Sequence, residues 1–335
     1  MDNPVLVEVT RGGIVESAHR GAVSAIDAAG RAILSIGDTA RPVFPRSAVK
    51  VLQALPLIET GAADAFGFGP RELSLACASH SGEPGHVALA ADMLARAGLN
   101  EGALECGCHW PFDLPVALDL ARAERRPGPL HNNCSGKHAG FLATAVHAGE
   151  TVSGYVAADH PVQRRARAAM EAVTGCDLGA DACGTDGCSI PTYAAPLEGF
   201  ARAFSRLVSS GSALPADRRA AGRRLIEACM AHPWEMSGTG RACERLMAAA
   251  PGRVFAKTGA EGVFCGALPD LGIGFALKID DGATRASEAL VAAVIAQLLR
   301  REDASLAERF DELSRTTLRN WEKVPVGEVR ARALL

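Results

Sequence analysis

Both ends of the chain contain short runs in which apolar, often β-branched residues alternate with polar ones, as is typical of β-strands. Turn signals at residues 11–13 (RGG) and 28–30 (AAG) separate the early runs. Turns this short can join antiparallel strands but not parallel ones, so the pattern predicts an antiparallel meander. The predicted strands cover residues 5–9, 14–17, 22–27 and 32–36 early in the chain, and 253–258, 262–267 and 273–279 late in it.

The middle of the chain, roughly residues 47–250, has apolar residues at helical spacing and is rich in Ala, Leu, Arg and Glu. Glycines and prolines separate the segments, and Pro215 followed by Asp217 marks the start of one helix. The predicted helices cover residues 87–97, 116–123, 136–148, 162–174, 193–208 and 218–230, and a last one covers 286–300.

Strands at both ends and helices between them form an α+β pattern. An antiparallel sheet from about residues 1–40 and 250–335 would combine the N- and C-terminal strands, with the large helical region of residues 47–250 inserted between them. The chain also lacks an internal repeat or a low-complexity linker. The sequence therefore predicts a single domain over residues 1–335.

Composition narrows the class of protein. Of the 335 residues, 48% are apolar, enough for a large core, and 22% are charged with a net charge of −3. This surface has no basic patch of the kind that binds nucleic acid or an anionic membrane. The first residues lack the pattern of a secretion signal, and the longest apolar stretch, residues 289–299, is shorter than the about 20 residues of a membrane span. We expect a cytoplasmic protein whose ten cysteines are reduced thiols, most of them buried.

Ser47 and Lys50 form a Ser-x-x-Lys motif at the predicted start of a helix, just after Pro45. Residues three apart on a helix face the same side, so the amine can approach the hydroxyl. A serine becomes a strong nucleophile only beside a base, and a lysine serves as that base when burial or a second cation lowers its pKa. Alone, the motif could equally be a helix-capping serine beside an exposed lysine.

A second element favours the catalytic interpretation. Residues 257–259 (KTG) lie on a late predicted strand. Ser-x-x-Lys at a helix start together with a Lys-Thr-Gly strand is the arrangement of penicillin-recognising enzymes, in which the strand edge contributes to the oxyanion hole. Lys257 would then be the second cation. A second hydroxyl between the two lysines could come from Ser79, with Ser81 as its competitor, although both lie in what could be an ordinary loop after a helix.

Two loops present cysteines in a way that suits a metal, namely residues 132–138 (NNCSGKH) and 183–188 (CGTDGC). Neither contains Cys-x-x-Cys, and Cys106-x-Cys108-His109 is not a standard zinc spacing either, so spacing alone leaves a zinc site open. Residues 135–137 (SGK) are similar to the end of a phosphate-binding loop, but the glycine that should precede them is missing, which argues against nucleotide binding.

Several motifs together resemble the rhizobial-type (class 3) L-asparaginase family, L-asparaginase II. The resemblance runs nearly end to end and rests on residues 45–50 (PRSAVK), 131–140 (HNNCSGKHAG), 184–188 (GTDGC) and 256–262 (AKTGAEG). It implies a fold similar to serine β-lactamases and glutaminases, hydrolysis of L-asparagine to L-aspartate and ammonia, and a homodimer.

The same resemblance implies the roles of individual residues. Its two Ser–Lys pairs fall on Ser47 with Lys50 and on Ser79 with Lys257. A zinc ion that tunes substrate binding would be held by Cys134, Lys137 and Cys188, with water as a fourth ligand. The sequence departs from the pattern at Asn132-Asn133, where a shorter His-Asn-Cys is expected, and at Ala48, where a second serine is common.

The resulting hypothesis is acyl transfer from an amide. Lys50 takes the proton of Ser47, and Ser47 attacks the side-chain amide. Ser79 and Lys257 protonate the leaving ammonia, and water then hydrolyses the ester. The candidates for holding the α-carboxylate and α-ammonium of the substrate are Arg46, His138 and Asp186.

Three alternatives remain at this point. One is a glutaminase, esterase or β-lactamase-like enzyme on the same scaffold, since one methylene contributes only about 1–3 kcal/mol of discrimination. Another is a regulator that binds zinc or an amino acid without turnover. The third is a metalloamidase that uses zinc-bound hydroxide, which would retain activity after Ser47→Ala.

Overall fold

The computed structural model describes residues 3–334 and has the predicted α+β architecture. The strands are β1 (Val5–Arg11), β2 (Ile14–Ile26), β3 (Ala32–Ile36), β4 (Pro42–Val43), β5 (Cys183–Thr185), β6 (Pro191–Tyr193), β7 (Ala195–Pro196), β8 (Phe255–Gly259), β9 (Val263–Leu268), β10 (Ile273–Ile279), β11 (Arg315–Arg319) and β12 (Pro325–Ala331).

The helices lie mainly between β4 and β8. They are α1 (Lys50–Gln53), α2 (Leu55–Glu59), α3 (Ala62–Ala65), α4 (Pro70–Ala76), α5 (Pro84–Arg96), α6 (Leu114–Arg122), α7 (Ser135–His147), α8 (Pro161–Thr174), α9 (Leu197–Val208), α10 (Ala216–Ala231), α11 (Pro233–Met236), α12 (Ala242–Ala249), α13 (Thr284–Leu299) and α14 (Ala304–Leu313). None of these helices is both long enough and apolar enough to cross a bilayer.

The main sheet is antiparallel and combines strands from both ends of the chain, as predicted. Its order is β11-β12-β1-β2-β10-β9-β8, and β3 also pairs with β2. The two runs predicted at residues 14–17 and 22–27 are one long strand, β2, whose first half pairs with β1 and whose second half pairs with β10. Gly21 lies at this change of partner, where a Cβ atom would collide with the backbone of Lys278.

The C-terminal part contains more structure than the sequence pattern predicted. After α13 the chain forms α14 and the strands β11 and β12, and β12 pairs with β1. β9 and β10 are buried along nearly their whole length, and β10 contacts both α9 and α13. Helices therefore cover the centre of the sheet. For this reason the sequences of β9 and β10 are almost continuously apolar and do not alternate with polar residues.

The edge strand β8 faces the helical region, and this junction positions the site. A short 3-10 helix, Arg46–Val49, packs directly on β8. The close approach requires Gly259, because a Cβ atom there would collide with the carbonyl oxygen of Pro45. In a similar way Gly136 at the start of α7 lets that helix approach the backbone of Leu75 in α4.

Candidate active site

Ser47 lies in the 3-10 helix that leads into α1, half-buried on the wall of a cavity of about 490 Å³. Arg46, just before it, has φ +50°, in the left-handed region that a residue other than glycine rarely adopts. Such backbone strain persists only where the surroundings enforce it, and it concentrates at functional sites. The packing of the 3-10 helix on β8 provides that enforcement.

Lys50 is completely buried, and its amine lies at the centre of three contacts. It donates to the carbonyl oxygen of Ala78, to Ser79 Oγ at 2.9 Å and to Cys134 Sγ at 3.0 Å. None of these three partners is the Ser47 hydroxyl. The amine of Lys50 therefore connects the second hydroxyl of the site to the cysteine loop, rather than bonding only to the serine of its own motif.

Ser79 lies between the two lysines, as predicted for the second hydroxyl. Its Oγ is 2.9 Å from Lys50 Nζ and 3.0 Å from Lys257 Nζ, and the residue lines the same cavity as Ser47. The competitor Ser81 lies elsewhere, because its hydroxyl donates to Glu83 Oε1 at 2.8 Å. The loop is fixed by backbone hydrogen bonds from Ser79 N to Met236 O and from the next residue to the loop before α7.

Lys257 is the lysine whose acid–base properties differ most clearly from those of a free amine. Burial, assisted by the positive charges of Lys50 and Arg241, lowers its pKa to about 8, although Cys243 and Cys134 act in the opposite direction. Its amine donates to Ser79 Oγ and to the carbonyl oxygen of Thr258 at 3.1 Å. A buried amine with this pKa can accept a proton near neutral pH.

The end of β8 forms one wall of the cavity. Thr258, Gly259 and Ala260 line it together with Ser47, and β8 packs against the 3-10 helix that carries Ser47. Backbone N–H groups at the end of an edge strand and at the start of a helix are suitable donors for an oxyanion. The strand thus occupies the place that the Lys-Thr-Gly motif predicted for it.

The three residues predicted to bind metal also lie together. Lys137 Nζ donates to Cys188 Sγ at 3.1 Å, Cys134 and Cys188 share a hydrogen bond, and Cys134 contacts Lys50. Cys134 is held by the loop before α7, where Asn132 Oδ1 accepts from its backbone N–H at 2.9 Å. The second of the two asparagines, Asn133, lines the cavity.

Cys134, Cys188 and Lys137 change one another's pKa values. A hydrogen bond from the Cys188 thiol, together with Lys50 and Lys137, lowers the pKa of Cys134 well below its usual range in spite of burial. The same hydrogen bond, together with burial, raises the pKa of Cys188. Burial disfavours the ammonium of Lys137, but the two sulfurs outweigh it and its pKa is raised.

Two sulfurs and one amine that converge in this way are a donor set suited to Zn²⁺, provided that all three lose their protons. Within residues 3–334, no group of three or more His, Cys, Asp or Glu side chains is arranged to hold a metal. A zinc site here would consequently depend on Lys137 as a ligand.

The three predicted substrate-binding residues are placed differently from one another. Arg46 and Asp186 form an ion pair at 2.8 Å, and Arg46 lines a separate cavity of about 260 Å³. Nearby Lys137 and Arg46 lower the pKa of Asp186, against the effect of its burial. His138 is fully buried and its Nδ1 lies 2.6 Å from the Tyr155 hydroxyl, while its Nε2 has no hydrogen-bond partner among the described residues.

Sequence reasoning missed several residues of the main cavity. Arg241, Arg245 and Glu288 line it together with Ser47 and Ser79, as do Asn133 and Phe112. Arg245 and Glu288 form an ion pair at 3.5 Å. No motif marks these charged residues, because α12 and α13 bring them to the cavity from separate parts of the chain. Only the tertiary fold identifies them.

A model of the family described as L-asparaginase II matches residues 7–331. No curated protein matches the chain. Similar solved structures include a β-lactamase from Mycobacterium bovis, with 14% identity over 83% of this chain and 94% of that chain and a TM-score of 0.41. They also include Mglu in its native form, with 14% identity over 90% of this chain and 71% of that chain and a TM-score of 0.41.

Proposed function

The chain belongs to the L-asparaginase II family, and we propose that it hydrolyses L-asparagine to L-aspartate and ammonia through an ester formed on Ser47. The observation that carries the proposal is the hydroxyl of Ser79, which bridges the buried amines of Lys50 and Lys257 in the cavity lined by Ser47. A serine hydrolase needs this combination of a nucleophile and a proton network beside it.

The first half-reaction forms the ester. Ser47 Oγ attacks the carbon of the side-chain amide while Lys50 takes the hydroxyl proton. The backbone of β8 and of the 3-10 helix stabilises the negative oxygen. The carbon–nitrogen bond breaks as Ser79 donates a proton to the leaving nitrogen and receives one from its neighbouring lysine, so ammonia leaves.

The second half-reaction reverses these proton movements. Water takes the place of ammonia and gives a proton to the Ser79–lysine network as its oxygen attacks the ester carbon. The bond to Ser47 Oγ then breaks, the serine regains its proton, and L-aspartate leaves. The two lysines share one hydroxyl, so they exchange protons as a pair.

Zinc is part of the proposal as a tuning group. Cys134, Lys137 and Cys188 would hold it, and when bound it would supply a fixed positive charge at the wall of the site. Since Cys134 also contacts Lys50, the cluster can affect the site without taking part in bond breaking. The proposal also includes a homodimer in solution, which the resemblance to this family implies.

The decisive experiment measures ammonia release from L-asparagine and L-glutamine by wild type, Ser47→Ala and Ser81→Ala. We expect turnover of L-asparagine by wild type, a loss of at least about 10³-fold in Ser47→Ala, and near wild-type rates in Ser81→Ala, whose hydroxyl bonds to Glu83. Trapping of an ester on Ser47 by mass spectrometry would support the intermediate directly.

Two results would contradict the mechanism. Retained activity in a folded Ser47→Ala protein would point to zinc-bound hydroxide, the metalloamidase alternative. Absence of ammonia from both substrates in wild type would point to a different amide or to a binding role.

The role of zinc is tested with Cys188→Ser, analysed by metal content and by kinetics. We expect loss of bound zinc, a raised KM for L-asparagine and a kcat within about tenfold of wild type, because the metal does not act on the breaking bond. Loss of kcat with an unchanged KM would instead place the metal in the chemical step. Cys265→Ser, also a buried cysteine but on β9, serves as the control.

A further inference from the structure

The cavity that Ser47 lines also contains side chains of both charges. Ser47, Ser79 and the end of β8 form one part of its lining, whereas Arg241, Arg245 and Glu288 form another. A small α-amino acid carries one carboxylate and one ammonium, so a site that reads it needs a cation and an anion at a fixed distance from the reacting group. This cavity contains both kinds of charge.

Arg241 is the free cation of this group. Among residues 3–334 it forms no ion pair with a carboxylate, and its guanidinium lies 5.6 Å from the centroid of the Phe112 ring. It precedes α12, whose first residues, Ala242 and Cys243, line the cavity as well. Guanidinium groups bind carboxylates through two parallel hydrogen bonds, and the ring of Phe112 restricts the orientation of this one.

Glu288 supplies the opposite charge. Burial raises its pKa, although Arg245 and Arg241 lie close to it, which means that its carboxylate gains from a further positive partner. Its ion pair with Arg245 is long, at 3.5 Å, and involves only Oε2. An ammonium group in the cavity can therefore approach the remaining oxygen.

The three candidates for substrate binding that the sequence suggested already have partners within the protein. Arg46 donates to Asp186 at 2.8 Å, and Arg46 lines the other cavity, together with Phe44 and Glu261. His138 is fully buried and bonded to Tyr155. Arg46 already has a carboxylate partner, whereas Arg241 can bind a carboxylate without losing a charged partner.

We infer that Arg241 binds the α-carboxylate and Glu288 the α-ammonium of the substrate, so that the site selects free α-amino acids with a side-chain amide. This inference rests on the proposed function, because it assigns the recognition of that substrate. Amides within a peptide, which lack both charges, would be excluded. Arg245 then orients Glu288 rather than contacting the substrate.

The test compares three amides that differ in one charged group each. They are L-asparagine, 3-aminopropanamide, which lacks the carboxylate, and succinamic acid, which lacks the ammonium. Each is measured with wild type, Arg241→Gln, Arg241→Lys, Glu288→Gln and the control Arg224→Gln. Arg224 pairs with Asp64 on the surface and is not part of the cavity lining.

We expect Arg241→Gln to lower kcat/KM for L-asparagine and succinamic acid about 10- to 100-fold more than for 3-aminopropanamide, mostly through KM, because the effect of Arg241 on the pKa of Lys257 is common to all three substrates. Arg241→Lys should restore part of the loss. Glu288→Gln should lower kcat/KM for L-asparagine and 3-aminopropanamide and leave succinamic acid unchanged. Equal losses with all three substrates, or no loss at all, would overturn the assignment.

A binding measurement distinguishes failure of the proposed hydrolase function from failure of the Arg241 assignment. If wild type releases no ammonia from any of the three amides, the hydrolase proposal fails, but calorimetry with L-aspartate still tests the subsite. Binding to wild type that weakens about 10-fold or more in Arg241→Gln supports the assignment. Absence of binding to wild type, or equal binding to both proteins, overturns it.

Discussion

At the scale of single residues, the central feature is one hydroxyl shared by two buried amines. Ser79 Oγ lies within 3.0 Å of both Lys50 and Lys257. Two ammonium groups this close repel each other, and neither is solvated by water. This repulsion favours the loss of one proton from the network of Lys50, Ser79 and Lys257. In that state the network can accept the proton of Ser47.

This arrangement predicts how activity depends on pH. The pKa of Lys257 is lowered to about 8, so below that pH the amine of Lys257 keeps its proton and cannot accept another. We expect kcat/KM for L-asparagine to rise with pH through an apparent pKa near 8, belonging to the pair of lysines, and then to level off. Steady-state kinetics between pH 6 and 9.5 measures this.

The control for the pH profile is Lys323→Met, which changes an exposed lysine outside the cavity and should leave the profile unchanged. A flat profile in the wild-type protein would mean that the network does not lose its proton in this range. A decrease in activity with increasing pH would mean that the protonated form of the network is required.

The sequence predicts those site residues that lie close together along the chain, but not those that only the fold brings together. Ser47 and Lys50 could be found because a helix start fixes their spacing, and the Lys-Thr-Gly strand identified Lys257. Ser79 and Ser81 could not be separated by pattern, since the choice depends on which hydroxyl the amine of Lys50 reaches across 29 positions of the chain. The roles of Arg241 and Glu288 depend entirely on tertiary contacts.

At the scale of elements, the site depends on how closely a strand and a short helix approach each other. β8 and the 3-10 helix at Arg46–Val49 are in direct contact, and Gly259 is the position that allows this. The contact keeps the end of the strand and Ser47, the proposed nucleophile, on the same cavity. It also holds Arg46 in its left-handed conformation.

Gly259→Ala should therefore have a large effect on catalysis, although it adds only one methyl group. The added methyl group would collide with Pro45 O and press on Ala48, displacing Ser47 from the oxyanion donors. We expect kcat to fall about 10²-fold, with a lower melting temperature. Gly211→Ala is the matched control, because a Cβ atom there meets no atom within 4 Å.

Other elements show where periodicity is informative and where it fails. Helix α8 was predicted nearly in full because one apolar face gives a clear helical period, and α10 because Pro215 and Asp217 mark its start. The predicted helix at residues 193–208 begins at Leu197, since Tyr193 instead ends the strand β6. β11 was missed because it is largely exposed and lacks an apolar run.

At the scale of the whole molecule, the sheet is completed only when both ends of the chain have folded. β1 pairs with β12 on one side and with β2 on the other, and α13 packs on β12, β1 and β10. The core is shared between the early and late segments. We therefore predict that residues 3–334 unfold in one cooperative transition, as a single domain.

Phe310→Ala tests this cooperativity. Phe310 is fully buried in α14, so its truncation should cost about 3–5 kcal/mol of unfolding free energy and destabilise the site together with the C-terminal strands. Denaturation is followed by circular dichroism and by ammonia release. The control Trp321→Ala removes a fully exposed ring and should change stability by less than about 0.5 kcal/mol. Separate midpoints for structure and activity would indicate two units.

The pairing of β1 with β12 also places an early and a late segment of the chain side by side. Val7 lies opposite Ala331, and the N–H of Arg332 donates to Leu6 O at 2.8 Å. A short linker from β12 to β1 could therefore connect these two strands directly, and the chain could be opened instead in the exposed turn at residues 210–213 between α9 and α10. Such a circular permutant would keep every strand pair while making the two halves of the sheet contiguous in the gene, so the fold itself permits the catalytic elements to be rearranged in sequence.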